Sequence, residues 1–240
     1  MLEAVYTGYT GDKTAADFKA MEVYLKRVWF SNGIHHHYGC EKFVPGFTPE
    51  FFRQALLSVD AATLPLAEGQ TVEQLYEEVA PVIFDPKVMP KRVNQAAGED
   101  LVLTSACNYY DGVTQQEAEA FYSAMKDPKD ETPVSYGLNS RLVKENGKIQ
   151  EKVWKVGGLY GAAIGKIVYW LKKAEGVAEN PEQKAVIAKL IEFYETGDLK
   201  TFDDYAILWV KDLDSRIDFV NGFTESYGDP LGMKASWESL

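Results

Sequence analysis

Three carboxylates, Asp218, Glu225 and Asp229, crowd a stretch that also carries Ile217, Phe219, Phe223 and Tyr227. Paired carboxylates can act as acid and nucleophile on a glycosidic bond. Asp218 and Glu225, however, lie an odd number of residues apart, so a regular strand puts them on opposite faces. Residues 217–221 alternate as a strand does: Ile217, Phe219 and Asn221 share one face, Asp218 and Val220 the other. Gly228, Asp229 and Pro230 then demand a turn. The pattern describes an acidic binding strand beside aromatic surface, and no reaction by itself.

His35, His36 and His37 are all the histidines of the chain. Consecutive residues diverge in direction, so at most His35 and His37 could share a face, and a zinc site would need further ligands. The expectation is that the imidazoles bond backbone or line a cleft. Gly157, Gly158, Gly161 and Gly165 look like a phosphate loop, but neither the GxGxxG spacing nor the GK[ST] ending is present. Gly161 and Gly165, four apart, read instead as a site of close helix packing. No Ser/His/Asp or Cys/His arrangement is suggested by spacing.

These residues need elements to hold them. A helix is expected from Thr14, with Asp17 in a capping-box position, Phe18, Met21, Leu25 and Val28 on its buried stripe, and Gly33 as its exit. Further helices are expected from Thr48-Pro49, from Thr71 with Gln74 (its end bracketed by Pro81 and Pro86), and from Thr114 with Glu117. Residues 86–100 read as a surface loop and residues 101–104 as a short strand. Asn146-Gly147 between two alternating runs is a strong hairpin signal. Three helices follow: one carrying Ile164, Ile167, Val168 and Leu171, one capped by Asn180 and stopped by Gly197, and one from about Leu199 to Lys211.

Composition sets the outer limits. The 240 residues, 46% hydrophobic and 13% aromatic, can bury a full core. A net charge of −11 argues against nucleic acid, whose binding rests on Lys and Arg, and favours cationic ligands such as the free amine of a peptide. Cys40 and Cys107 are too few for a disulfide framework and read as reduced, buried thiols, with a single bridge left open. No apolar run reaches membrane-spanning length. Residues 2–6 read as the middle of a helix and residues 236–240 as a strand without a closing signal, so the chain is expected to be a fragment.

The run from Asp212 to Gly232, centred on Gly222-Phe223-x-Glu225-Ser226-Tyr227-x-Asp229-Pro230-x-Gly232, resembles a signature segment of the dipeptidyl peptidase III family of zinc exopeptidases, its bacterial, Bacteroides-like branch in particular. Residues 139–144, the three helices from Tyr160 to Lys211, and Gly39-Cys40-Glu41-Lys42-Phe43-Val44-Pro45 extend the likeness to nearly the whole chain. The resemblance implies a two-lobed enzyme that holds zinc on one lobe through HExxGH and a downstream glutamate. That motif does not occur here. The chain is therefore expected to be the substrate-binding lobe: an α+β fold, helix-rich around a small, incomplete antiparallel β-barrel or sheet.

On that reading residues 1–240 are a single fragment, mostly helical over 1–130, with a hairpin at 131–158, three helices at 159–212 and the signature strand and turn at 213–240. The resemblance implies that Asp218 grips the substrate's ammonium and that Asn221, Glu225 and Tyr227 complete the substrate-binding set. Val220 stands where many members carry a tyrosine, and an isopropyl group cannot replace a phenol in hydrogen bonding. The implied function is zinc-dependent release of dipeptides from peptide N-termini by the full-length, cytoplasmic protein. The implied partners are a short peptide and the missing zinc-binding lobe, with no catalytic residue and no bound metal in this fragment, and no nucleic acid or membrane. The alternative is a stand-alone peptide-binding or scaffold domain.

Overall fold

Capping chemistry decides most helix starts in the computed structural model, which describes residues 1–240. The chain is α+β and divides into two compact units, each with its own apolar core: residues 1–94 with 104–106, and residues 95–103 with 107–240. No helix is long and apolar enough to cross a membrane.

The first unit contains α1 (Leu2–Gly8), α2 (Ala16–Ser31), α3 (Pro49–Leu57), a single 3-10 turn, and α4 (Val72–Phe84). Thr48 caps α3 with Pro49 in the first turn, and Thr71 and Gln74 form a reciprocal capping box on α4. Two expectations fail locally. Thr14 does not cap α2, because its N–H and hydroxyl both donate to Asp12 Oδ1 at 2.8 and 2.6 Å. Such a turn competes with a helix start, and α2 begins at Ala16 without a side-chain cap. Its left-handed exit is Asn32 (φ 52°), one residue before Gly33. α4 ends at Phe84, between Pro81 and Pro86 as expected; Pro81 lies inside its last turn, and the carbonyl that loses its partner belongs to Glu77, which is exposed. Val5, Phe18, Met21, Phe52 and Leu56 form the centre of this unit's core.

The second unit holds β1 (Tyr110–Asp111), α5 (Gln115–Ser123), β2 (Ser140–Glu145), β3 (Lys148–Val153), α6 (Gly161–Glu175), α7 (Pro181–Thr196), α8 (Leu199–Lys211), β4 (Asn221–Glu225) and β5 (Ser236–Ser239). Residues 101–104 are turn, not strand: the Asp100 carboxylate takes the Val102 and Leu103 N–H groups, and Leu101 donates to Gln115 Oε1. The Asn146-Gly147 hairpin forms as expected, with φ of 50° and 76° at its two turn residues and Ser140 paired with Val153. β1 adds to β2 in parallel, so the order β1-β2-β3 is mixed and only β2-β3 and β4-β5 are antiparallel.

Helices α6, α7 and α8 bury Ile164, Val168, Leu171, Leu190, Phe193, Tyr194 and Tyr205 in the core. Gly161 meets the Lys155 carbonyl 3.4 Å from where a Cβ would stand, but Gly165 faces open space, so the pair does not mark a tight helix contact. Cys40 and Cys107 are free thiols, and both are half-buried rather than buried.

The strand expected over 217–221 starts only at Asn221. Upstream, the backbone finds other partners. The Glu179 carboxylate takes the Arg216 and Ile217 N–H groups, Gln183 Nε2 donates to the Ile217 carbonyl, and Asp218 Oδ1 takes the Phe219 N–H. Satisfied by side chains, these groups have no need of a strand neighbour.

Candidate functional site

Asp218 sits on the exposed segment between α8 and β4, and α8 holds it in place. Trp209 Nε1 donates to Asp218 Oδ1 at 2.8 Å, and the Phe219 N–H donates to the same oxygen at 2.8 Å. Oδ2 takes part in no hydrogen bond or ion pair. The carboxylate is thus oriented through one oxygen and offers the other to solvent.

Asn221 opens β4 three residues later. Its Oδ1 accepts from the Tyr194 hydroxyl of α7 at 2.5 Å, and its Nδ2 donates to Ser239 Oγ of β5 at 3.1 Å. The Trp237 indole N–H in turn donates to the Tyr194 hydroxyl at 2.7 Å. One buried phenol therefore joins a helix to both strands of the β4-β5 pair. Burial holds that phenol protonated well above the usual tyrosine range. Beside this chain lies a groove of about 490 Å³ between α6, α7 and the strand, apolar along Ile167, Trp170, Leu171 and Phe219 and polar at Gln183 and Asn221.

The other two candidates stand apart from this pair. Glu225 ends β4 beyond an irregularity in register between Phe223 and Glu225, and is half-buried. Tyr227 lies past the strand and is 69% exposed. Val220 exchanges backbone hydrogen bonds with Leu240 at 3.1 and 2.9 Å, extending the β4-β5 ladder by one pair. Trp209, Tyr194 and Trp237 were legible in the sequence only as core or strand aromatics, because each becomes a polar partner through an N–H or O–H aimed at another element.

Asp229 is not a surface carboxylate. It is buried and accepts from Tyr110 OH at 2.9 Å and from the N–H groups of Leu231, Met233 and Lys234 at 3.2, 2.8 and 2.8 Å. It builds the turn after β4.

Two of the three histidines bond backbone, as expected. His35 Nε2 contacts the Met89 carbonyl at 2.8 Å, and His36 Nδ1 accepts from the Tyr38 and Gly39 N–H groups at 3.2 and 3.0 Å. His37 Nδ1 meets Ser31 Oγ at 3.1 Å. The His36 and His37 rings stack 4.8 Å apart at 17°, so their nitrogens do not converge on a point. No three His, Cys, Asp or Glu side chains gather as metal ligands would. The zinc implied by the resemblance does not fit these residues.

The model of peptidase family M49 matches residues 103–240, more than half of the chain. The chain belongs to peptidase family M49. Curated relatives include dipeptidyl peptidase 3 of Nematostella vectensis, 23% identical over 256 residues, and of Homo sapiens, 24% identical over 261 residues. Each alignment covers 95% of this chain and 34% of the relative, so the chain spans about a third of the length of the curated relatives it matches. Among solved structures, DPP III from Caldithrix abyssi is 19% identical with a TM-score of 0.45, covering 99% of this chain and 38% of that one. Dipeptidyl-peptidase III from Corallococcus sp. strain EGB is 18% identical with a TM-score of 0.46, covering 99% and 42%.

Proposed function

We propose that this M49 chain is the peptide-binding part of a dipeptidyl peptidase and that Asp218 receives the free ammonium of the substrate. The supporting observation is the Asp218 carboxylate, exposed, oriented through Oδ1 by Trp209 and Phe219, and unoccupied at Oδ2. An ammonium supplies three donors to such an oxygen, and the net charge of −11 draws cations towards the protein.

Strand β4 supports the same reading. It pairs with β5 on one edge only, and no strand lies along the other. Its alternation leaves the Asn221 and Phe223 backbone groups towards the open edge, where an extended peptide can add as a further strand. Asn221, Glu225 and Tyr227 then border the bound chain along the strand and beyond it. An amine anchored at a fixed distance along a strand measures the peptide from its end, which suits removal of dipeptides.

Zinc dependence of the whole peptidase belongs to this proposal. Its ligands would lie in protein outside these 240 residues, consistent with relatives about three times longer. The residues present bind and orient the peptide; no proton transfer is assigned to them.

The test compares a tetrapeptide bearing a free amine with its acetylated form by titration calorimetry. The expected result is tighter binding of the free-amine peptide, with at least a tenfold loss in Asp218→Asn and no change for the acetylated peptide. Equal binding of both peptides by the unaltered protein overturns the assignment.

A further inference from the structure

Lys234 is fully buried, the most enclosed charged side chain in the protein. Its ammonium lies over the Tyr122 and Tyr110 rings, 4.7 and 5.6 Å from their centroids. It donates to the Tyr122 hydroxyl, to Ser140 Oγ at 3.1 Å and to the Gly137 carbonyl at 3.2 Å. Tyr122 and Ser140 both donate onward to Glu151 Oε1, at 2.9 and 2.5 Å. The positive charge is therefore linked through two hydroxyls to a carboxylate on β3.

Two residues later β5 begins, tied to its neighbours by one side-chain bond per residue: Ser236 Oγ donates to the Glu225 carbonyl at 3.3 Å, Trp237 Nε1 to Tyr194, Thr224 Oγ1 to Glu238 Oε1 at 2.8 Å and Asn221 Nδ2 to Ser239 Oγ. All four of its residues are exposed. The connection from β4 is ten residues long (226–235), far beyond the two- to five-residue loops that set hairpin register. Pairing with β4 is already irregular between Phe223 and Glu225. Register is weakly specified in a strand with no buried face, and a one-residue slip turns every side chain to the other side. Such a slip would carry Ser239 away from Asn221 and the Trp237 indole away from Tyr194.

We infer that Lys234 is the register pin of β5 and, through β5, a positioning residue for the Asp218–Asn221 segment. A buried charge that has only one satisfactory position selects one alignment among several, as single buried polar groups do in coiled coils. The Ala235 N–H, donating to the Leu138 carbonyl at 3.0 Å, fastens the chain on the other side of the same residue. The role in peptide binding rests on the proposed function; the role in register does not.

The experiment uses the 240-residue protein and separates the two. In Lys234→Met, which keeps the length of the side chain without its charge, the Trp237 indole N–H resonance is expected to shift or split. The Asn221–Ser239 cross-strand contact should weaken, and amide exchange over 236–239 should rise at least tenfold. Affinity for tetra-alanine should fall at least tenfold. Tyr122→Phe, which removes the hydroxyl and leaves the ring, should move the same signals in the same direction and carries the test if Lys234→Met does not fold. A single, unshifted Trp237 resonance with native exchange in a folded variant overturns the pin. Unaltered protein that ignores tetra-alanine while the variants shift register supports the pin and retires the peptide-binding reading.

Discussion

Trp209, on the last turn of α8, donates its indole N–H to Asp218 Oδ1 across 2.8 Å. The bond leaves the carboxylate exposed and fixed in direction. Trp209→Phe keeps the aromatic surface and removes the donor. Loss of one hydrogen bond to a charged group is worth roughly 1.5–3 kcal/mol when buried and less when exposed, so affinity for a free-amine tetrapeptide is expected to fall about three- to tenfold by that reasoning. The acetylated peptide should bind Trp209→Phe and the unaltered protein alike; calorimetric titration of both peptides decides it.

Tyr194 carries two hydrogen bonds on one hydroxyl, accepting from Trp237 and donating to Asn221. Tyr194→Phe leaves an indole N–H and an amide oxygen without their partner. The expected loss is about 1–3 kcal/mol of stability. It should appear as a lower urea midpoint with an unchanged slope. A midpoint equal to that of the unaltered protein would show that the phenol ties nothing together.

Burial pulls the Lys234 ammonium down to about 8, against the opposing pull of Glu151 and Asp229. In the unfolded chain the same amine titrates near 10.5. Between those values the unfolded state binds more protons, so the Lys234 contribution to stability rises with pH through that window. Below about 8 the full cost of the buried charge is present, on the order of 3 kcal/mol. The stability of Lys234→Met relative to the unaltered protein should therefore be highest near neutrality and decline towards pH 10.5. Denaturant unfolding of both proteins at neutral and alkaline pH reads this difference, and an unfolding free energy of Lys234→Met minus that of the unaltered protein that rises with pH contradicts it.

Gly222 stands in β4 with φ 155°, and a Cβ there would lie 2.8 Å from two carbons of the Phe202 ring. Phe202 packs on Phe193 at 4.5 Å between centroids and has little room to retreat. Gly222→Ala should destabilise the protein by about 1–3 kcal/mol, the usual range for overpacking. A melting temperature unchanged in Gly222→Ala would mean that β4 can move off the helix.

Family membership, the α+β class and most helices were legible in the residues. Thr71 with Gln74, Thr114 with Glu117, Asn180 with Gly197, and Asn146-Gly147 each satisfy backbone groups within a few positions, so their outcome does not depend on the rest of the fold. Three of the failures share a cause. At Thr14, at residues 101–104 and at residues 216–219, a carboxylate or amide side chain captured backbone groups that periodicity had assigned to a helix or strand. In the first two the captor is close in sequence; in the last it is Glu179 and Gln183, more than thirty residues away.

The sequence by itself determined that this is an M49 chain with an acidic, aromatic signature segment, and it singled out Asp218 and Asn221. It did so because motif identity and local capping are properties of neighbouring residues. Only the tertiary structure decided that Trp209 aims Asp218, that Tyr194 joins Asn221 to Trp237, and that Lys234 enters an aromatic box with Glu151 beyond it. These bonds span from nine to more than one hundred residues, and their donors are indoles, a phenol and a lysine that no local pattern marks as partners of these groups. Whether an indole or a buried amine becomes a partner is settled by which elements pack together, and that is decided by the burial of the whole core rather than by any one stretch.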